Sequence, residues 1–231
     1  MVRIVRDQWT DADPVAVAAE VLTTTGVALM PSPDVTRSLG VDRDVWTRFA
    51  RYWWHLPPDP DAAEPGEQRL RRYGQYLVLD GVVYRLPPRP CAAPEPLTDA
   101  FAQEPLLHNV IELLARLAAA LDDVAEWNVK VYPFRTRSSD GGHPTPEGLH
   151  RDGVTLIGTL LIGRRNAIGG ESSVSDPGGQ RLLTTTLAEP GTLLLGDDRR
   201  TLHGISPIRP ISGSRPAQRD VLVITFASAW P

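Results

Sequence analysis

The sequence predicts a mainly β domain with flanking helices, of the double-stranded β-helix class (a jelly-roll or cupin-like barrel). Helical patterns are confined to the first half of the chain, strand-like runs fill the second half, and Gly and Pro clusters separate those runs. The length of 231 residues suits one domain with a substantial core. We therefore expect a single domain over 1–231, with a helix-rich support that includes a few strands over 1–126 and the barrel strands over 127–227.

Three segments of the first half have helical spacing. Asp13 and Pro14 are typical of an N-cap followed by a first-turn proline, and Gly26 ends this helix. Apolar residues recur every three or four positions over 42–55 and again over 104–122. The segment 104–122 is the best helix of the chain because its leucines and its valine lie on one face.

Strands are predicted from short apolar or alternating runs. A first strand covers 27–30, and 75–84 forms a hairpin that turns at Asp80-Gly81. The stretches 57–68 and 86–96 are rich in proline and are interpreted as a surface loop and an irregular connection. The second half contains four further runs, which are WNVKVYPF (127–134), VTLIGTLLIG (154–163), TLLLG (192–196) and DVLVITFA (220–227).

Composition excludes several classes of protein. The 42% hydrophobic and 23% charged residues are ordinary for a globular protein, and a net charge of −4 gives no electrostatic footprint for nucleic acid. No apolar run reaches the length of a membrane span, and the first residues lack the apolar centre of a signal peptide. The single cysteine, Cys91, is typical of a reducing compartment. We expect a soluble cytoplasmic protein, monomer or homodimer, that acts on a small molecule and binds neither nucleic acid nor membrane.

A histidine and an acid two residues apart form the first candidate site. His150 and Asp152 lie at the head of the run LHRDGVTLIG, where alternate residues of a strand would point to the same side while Arg151 points away. His203 follows the short strand TLLLG and supplies a third ligand. Two histidines and one carboxylate leave adjacent coordination positions open, as iron(II) oxygenases require. We therefore expect these three residues to bind iron and to be catalytic.

An arginine opens the last predicted strand. Arg219 shares one strand face with Val221 and Val223, which is consistent with burial. The cosubstrate 2-oxoglutarate chelates iron at one end, and its far carboxylate then needs a cation, which a planar guanidinium can pair with bidentately. Arg215, in the loop GSRPAQ, is the alternative residue for this role.

These motifs together resemble a known family. The runs PEGLHRDGVTLIGTLLIGRRNAIGGESSV, LLLGDDRRTLHGISPI and RDVLVITF, spread over 127–227, resemble the 2OG-Fe dioxygenase family that includes bacterial L-isoleucine 4-hydroxylase. The resemblance implies a double-stranded β-helix, iron(II), 2-oxoglutarate and dioxygen, and hydroxylation of free amino acids. It matches His150, Asp152 and His203 to the iron ligands and Arg219 to the arginine that holds 2-oxoglutarate.

Four further residues are candidates for contacts with cosubstrate or substrate. Tyr132 and Asn166 could contact the cosubstrate, although a core tyrosine and a solvated hairpin loop are the alternatives. Arg135 could hold a substrate carboxylate, whereas an arginine at a strand end is often merely solvated. Glu171 could accept a substrate ammonium, or it could belong to the same solvated hairpin loop.

Three alternatives remain at this point. The same metal chemistry could end in desaturation, epoxidation or cyclisation of an amino-acid derivative. The protein could instead bind a metal or 2-oxoglutarate in a cupin-like fold without catalysis. Asp197 and Asp198, just before His203, could form a second metal pair, although a turn that caps its own backbone is the more ordinary use of such a pair.

Overall fold

The computed structural model describes residues 12–60, 67–88, 94–139, 148–213 and 215–228. Within these ranges every helix belongs to the first half of the chain, as the sequence predicts. The helices are α1 (Pro14–Thr25), α2 (Ser32–Leu39), α3 (Val45–Phe49) with a 3-10 turn (Ala50–His55), α4 (Asp99–Ala102) and α5 (Pro105–Ala119). No helix among the described residues is long and apolar enough to cross a membrane.

The capping residues behave as the sequence predicts. Asp13 accepts a hydrogen bond from the backbone N–H of Val15 at 3.0 Å, and Gly26 ends α1 in the left-handed region with φ of 80°. The segment 42–55 is helical only in part, because α3 passes into a 3-10 turn after one α-helical turn. The short helix α2 was not predicted.

Thirteen strands are described. They are β1 (Val27–Met30), β2 (Glu67–Arg71), β3 (Gly74–Leu79), β4 (Val82–Arg85), β5 (Glu126–Ser138), β6 (Leu156–Arg165), β7 (Ala167–Gly169), β8 (Glu171–Ser175), β9 (Arg181–Thr186), β10 (Leu193–Asp197), β11 (Leu202–Ile205), β12 (Ile208–Pro210) and β13 (Ala217–Ala227). The major sheet has the order β1-β10-β6-β13-β5-β3-β4, with β2 also paired to β5. The minor sheet has the order β11-β8-β9, and β12 pairs with β7.

The major sheet separates two apolar regions. One face packs against the helices in a large core that includes Trp53, Leu114 and Phe226. The other face meets the minor sheet in a smaller cluster that includes Val174 and Val221. Two facing antiparallel sheets with helices outside the larger one form the jelly roll that the sequence predicts.

The register of β13 decides which side chains face the minor sheet. β13 lies between β5 and β6, so Arg219 is opposite Thr136 of β5, and Thr225 is opposite Lys130 of β5. Because side chains alternate along a strand, odd-numbered residues of β13 and even-numbered residues of β5 share the inner face. Arg135, an odd-numbered residue of β5, faces the other side.

Several predicted strands are confirmed and others were missed. The hairpin turns at Asp80-Gly81, where both residues have positive φ (49° and 78°), as a tight two-residue turn requires. The predicted loop 57–68 is wrong at its end, since β2 begins at Glu67. Residues 61–66 of this loop lie outside the described residues, and so does Cys91 in the later proline-rich segment. The strands of the minor sheet were missed because ESSVS and RLLTTT lack the apolar runs by which the other strands were recognised.

Candidate active site

His150 and His203 are held side by side by backbone hydrogen bonds. Each residue donates its N–H to the carbonyl of the other at 2.9 Å, which forms an antiparallel bridge. The two imidazole centroids are 4.4 Å apart. The backbone therefore fixes the separation of the two rings.

Asp152 completes a group of three possible metal ligands. Its Oδ1 is 3.8 Å from Nε2 of His150, and its Oδ2 is 3.8 Å from Nε2 of His203. One ligand atom from each residue lies within 4.8 Å of the others, so the three could hold a single ion. Two imidazoles and a carboxylate suit iron(II), and the group leaves positions open for small molecules.

The direction of Asp152 is set by a loop. The strand β6 begins only at Leu156, and Gly153 turns the chain with φ of 73°. The prediction that a regular strand points His150 and Asp152 to one side is therefore wrong, although the two residues do meet. The loop is held by Asp198, whose Oδ2 accepts the N–H groups of Gly153 at 2.7 Å and Val154 at 3.1 Å.

The same carboxylate approaches one of the histidines. Oδ1 of Asp198 is 3.5 Å from Nδ1 of His203, and the Asp198 side chain is fully buried. Burial acts to raise the pKa of Asp198, but the nearby imidazole of His203 and the hydrogen bond from the N–H of Val154 outweigh it, so the pKa lies below its ordinary value. Asp197 instead accepts from the N–H and guanidinium of Arg199, which is the capping role considered for this pair.

A cavity of about 470 Å³ opens between the two sheets, a volume within the range of small-molecule sites. The possible metal ligands lie on its wall. Its apolar lining comes from both sheets and comprises Phe134, Val154, Ile157, Val174, Leu194, Leu195, Ile205, Pro207, Ile208, Val221 and Val223. The interior therefore combines a polar metal-binding group with walls that exclude water.

Arg219 lines this cavity and is almost fully buried, with 7% of its surface exposed. Its Nε and Nη2 have no hydrogen-bond partner among the described residues. Burial lowers the pKa of Arg219 to about 10, and the neighbouring Arg164 acts in the same direction. Since a buried unpaired cation is costly, its place suits a ligand that brings its own carboxylate, as 2-oxoglutarate does. Arg215, by contrast, is exposed.

The sequence profile of the 2OG-Fe dioxygenase family matches residues 50–225 of this chain. The chain belongs to this family. The match includes the three possible metal ligands and Arg219, and it extends over most of the described fold. The predicted membership of the 2OG-Fe dioxygenase family is thereby confirmed.

One relative has an activity in its name. The 3(1)-hydroxy-L-isoleucine 4-dioxygenase of Pantoea ananatis is 26% identical over 137 residues, which cover 58% of this chain and 54% of that protein. The chain thus spans about half the length of the curated relative it matches. This relative acts on an amino acid, as the resemblance noted from the motifs implied for the family.

Solved structures agree on the fold. A bsmA homologue from Methylobium petroleophilum superposes with a TM-score of 0.84 at 28% identity and covers 93% of each chain. IDO from Bacillus thuringiensis gives a TM-score of 0.78 at 16% identity, with 95% of this chain and 97% of IDO covered. The jelly-roll class predicted from the sequence is confirmed.

Tyr132 lines the cavity from the inner face of β5. Burial raises the pKa of its hydroxyl to about 12, with smaller contributions from Tyr73 and Asp152 in the same direction. The phenol therefore stays protonated at neutral pH and can donate a hydrogen bond to a carboxylate. This placement agrees with the predicted contact to the cosubstrate.

Three other predicted contacts lie away from the cavity wall. Arg135 faces the opposite side of the sheet and forms a buried bidentate pair with Asp220, both contacts at 2.7 Å. The side-chain amide of Asn166 binds backbone groups of the loop after β12. Glu171 is exposed and does not line the cavity. These positions do not suit contacts with a cosubstrate or a substrate in the cavity.

Sequence reasoning missed a basic part of the cavity wall. Arg69 and Arg71 of β2 and Lys130 of β5 all line the cavity. The two arginines follow the segment 57–68, which was interpreted as a loop, and no strand was predicted over them. Lys130 and Tyr132 are two positions apart in the run WNVKVYPF, so their side chains point to the same face of a strand. This spacing is the signal in the sequence that could have placed Lys130 at the cavity together with Tyr132.

Proposed function

We propose that this chain is an iron(II)- and 2-oxoglutarate-dependent dioxygenase that hydroxylates a free L-amino acid, or a close derivative, at an unactivated carbon. In this reaction 2-oxoglutarate is decarboxylated to succinate. His150, Asp152 and His203 are the proposed metal ligands and catalytic residues. Arg219 and Tyr132 are the proposed contacts of the cosubstrate.

The buried guanidinium of Arg219 carries the proposal. A metal site alone would fit any cupin-like binding protein, but a buried arginine in the same cavity, whose Nε and Nη2 have no partner among the described residues, is explained by a carboxylate ligand. Its strand face continues through Val221 and Val223 along the cavity wall. A cosubstrate lying along this face would place one end on the guanidinium and the other end toward the histidines.

The residues of the chain have separable tasks. When bound, iron(II) and 2-oxoglutarate would supply the activation of dioxygen, by which the cosubstrate is oxidised to succinate and carbon dioxide and one oxygen atom enters a C–H bond of the substrate. His150 and His203, fixed by their mutual backbone bonds, hold the metal with Asp152. The phenol of Tyr132 donates to a carboxylate, and the apolar walls exclude water and orient one carbon of the substrate.

The substrate class rests on the relative and on the cavity. The relative's substrate is a hydroxylated isoleucine, and the apolar lining suits an aliphatic side chain. The cavity volume suits a cosubstrate together with a small second molecule. An intracellular site of action and a monomeric or homodimeric state remain predictions.

The test is substrate-triggered turnover. The protein is loaded with iron(II) and 2-oxoglutarate without oxygen, oxygen is admitted, and succinate is measured with each of the twenty amino acids. We expect an aliphatic amino acid or its derivative to raise succinate release well above the rate without substrate. Zinc-loaded protein, which cannot activate oxygen, is the matched control.

The outcomes separate the parts of the proposal. If no amino acid or derivative stimulates decarboxylation, the substrate class is wrong. If succinate release needs no iron, the metal assignment is wrong. Mass analysis of the product separates desaturation and cyclisation, which remove two hydrogen atoms, from hydroxylation and epoxidation, which each add one oxygen atom. NMR of the product then distinguishes an alcohol from an epoxide.

A further inference from the structure

A second arginine lies beside Arg219 on the neighbouring strand. Arg164 of β6 is directly opposite Arg219 of β13 in the register of the major sheet. Directly opposite residues of antiparallel strands point to the same face, and their Cβ atoms are about 5 Å apart. Arg164 therefore belongs to the inner face together with Arg219, whereas Arg165, the next residue of β6, is exposed.

Gly170 brings the two arginine side chains to one place. A Cβ added at this glycine would lie 3.0 Å from Nη1 of Arg164 and 3.4 Å from Cδ of Arg219. It would also lie 2.8 Å from Cγ2 of Ile208. Because Arg219 and Ile208 both line the cavity, Nη1 of Arg164 is next to the cavity, although Arg164 itself is not one of the lining residues.

The guanidinium of Arg164 is only partly satisfied by the protein. Its Nη2 donates to the backbone carbonyls of Ala167 and Gly169 on β7. Its Nη1 is buried and has no hydrogen-bond partner among the described residues. Support of the turn between β6 and β7 explains Nη2, but it leaves Nη1 unexplained, because buried donors are normally paired.

The two arginines together form a place for an anion. Neither guanidinium forms an ion pair with a carboxylate of the described residues. Two cations on adjacent strands repel each other, and the repulsion grows as water is excluded. One carboxylate that accepts from both would offset the repulsion and would satisfy the buried donors through charge-assisted hydrogen bonds.

We propose that Arg164 is a second cosubstrate-binding residue, whose Nη1 donates a hydrogen bond to the same far carboxylate of 2-oxoglutarate that Arg219 binds. This inference rests on the proposed function and adds a residue to its cosubstrate site. The hydrogen bonds of Nη2 to β7 hold the Arg164 guanidinium in place for this contact.

Two ligands of different length test the contact. Oxalate can chelate the metal as the 2-oxo acid end of 2-oxoglutarate does, but it has no far carboxylate. Each ligand is titrated by calorimetry into the zinc-loaded parent and into zinc-loaded Arg164→Met. We expect Arg164→Met to bind 2-oxoglutarate about 10- to 100-fold more weakly, which is the effect of losing a hydrogen bond between charged groups. Its affinity for oxalate should equal that of the parent, which also shows that the variant is folded around the metal.

Two further variants separate this contact from a purely structural role. Arg165→Met removes an exposed charge from the next position of β6 and should change neither affinity. Arg164→Lys keeps the charge but lacks the planar fork of donors, so its affinity for 2-oxoglutarate should lie between those of the parent and Arg164→Met. Equal losses for 2-oxoglutarate and oxalate would show that Arg164 only supports the turn after β6, and would overturn the inference. An unchanged affinity for 2-oxoglutarate in Arg164→Met would overturn it as well.

The parent and Arg219→Met distinguish a failure of this inference from a failure of the proposed function. If the zinc-loaded parent does not bind 2-oxoglutarate, or if Arg219→Met binds it as tightly as the parent, the proposed function falls and the inference falls with it. If Arg219→Met loses the affinity for 2-oxoglutarate and Arg164→Met keeps it, the inference alone is wrong.

Discussion

Oδ1 of Asp198 lies 3.5 Å from Nδ1 of His203, on the side of the ring away from the nitrogen that faces Asp152. The other oxygen of Asp198 accepts the N–H groups of Gly153 and Val154, the two residues that follow Asp152. One buried carboxylate therefore lies behind a histidine and holds the loop that carries Asp152. Carboxylates behind metal-binding histidines commonly fix the tautomer and the orientation of the ring.

Asp198→Asn tests this coupling. The amide can still accept from the loop through its oxygen, but its NH₂ group cannot accept from the ring N–H of His203. We expect affinity for zinc(II) or iron(II) to fall by about 10- to 100-fold, with a smaller loss of stability. The measurement is an anaerobic metal titration, with Asp34→Asn as control, since the partly exposed Asp34 pairs with Arg37 on α2 and does not line the cavity. A variant that binds metal as tightly as the parent would show that Asp198 has only a structural role.

Asp152→Ala tests the metal site itself. Removing the carboxylate leaves two neutral imidazoles, which hold a dication less tightly and no longer offset its charge. We expect metal affinity to drop by at least tenfold and coupled succinate release to disappear. The neighbouring Arg151→Ala is the matched control, since its guanidinium donates to the carbonyl of Thr201 instead. Full coupled turnover in Asp152→Ala would contradict the ligand assignment.

Residue types and periodicity predicted much of the fold and the centre of the site. Long apolar runs identified β6 and β13, and the helical face of 104–122 identified α5, because burial imposes those patterns. The minor sheet lacked such runs. The contact between Asp198 and the loop after Asp152 could not be predicted, since it depends on how two segments far apart in sequence pack.

Strand alternation explains why Tyr132 lines the cavity and Arg135 does not. Tyr132 and Arg135 are an odd number of positions apart on one regular strand, so they face opposite sides of the sheet. Both residues are candidates for the site in the sequence, although alternation along one strand allows only one of them to face the cavity. Which of the two faces inward is decided by the register with β13, and a single sequence does not contain that register.

Arg219→Met tests the cosubstrate site through two opposite effects. The affinity for 2-oxoglutarate should fall by about 100-fold or more, because a buried carboxylate would lose its charged partner. The ligand-free variant should nevertheless melt at a higher temperature than the parent, because an unpaired buried cation has been replaced by an apolar chain of similar length. Calorimetry and thermal unfolding measure the two effects.

The matched control for this prediction is Arg215→Met on the exposed loop. Arg215→Met should change neither the affinity for 2-oxoglutarate nor the melting temperature appreciably. The pKa of Arg219 is lowered to about 10 in the folded protein, so its destabilising charge is fully present below pH 10 and is lost as the pH rises toward the unfolded value of 12.5. The stability difference between Arg219→Met and the parent should therefore narrow above pH 10. A variant less stable than the parent at neutral pH would mean that the guanidinium has a partner.

Arg135→Met tests the assignment of that arginine to structure. The Arg135–Asp220 pair is bidentate, each side chain is about 5% exposed, and Gln218 also donates to Asp220. Removing one partner leaves an uncompensated buried charge, which costs roughly 3–5 kcal/mol in the free energy of unfolding. Denaturant unfolding measures this loss. The double variant Arg135→Met/Asp220→Leu should recover most of the lost stability, because no charge is then left unpaired.

Substrate binding by the folded fraction of Arg135→Met should match that of the parent, since the guanidinium lies on the opposite face of the sheet from the cavity. A selective loss of substrate affinity at unchanged stability would instead return Arg135 to the substrate site.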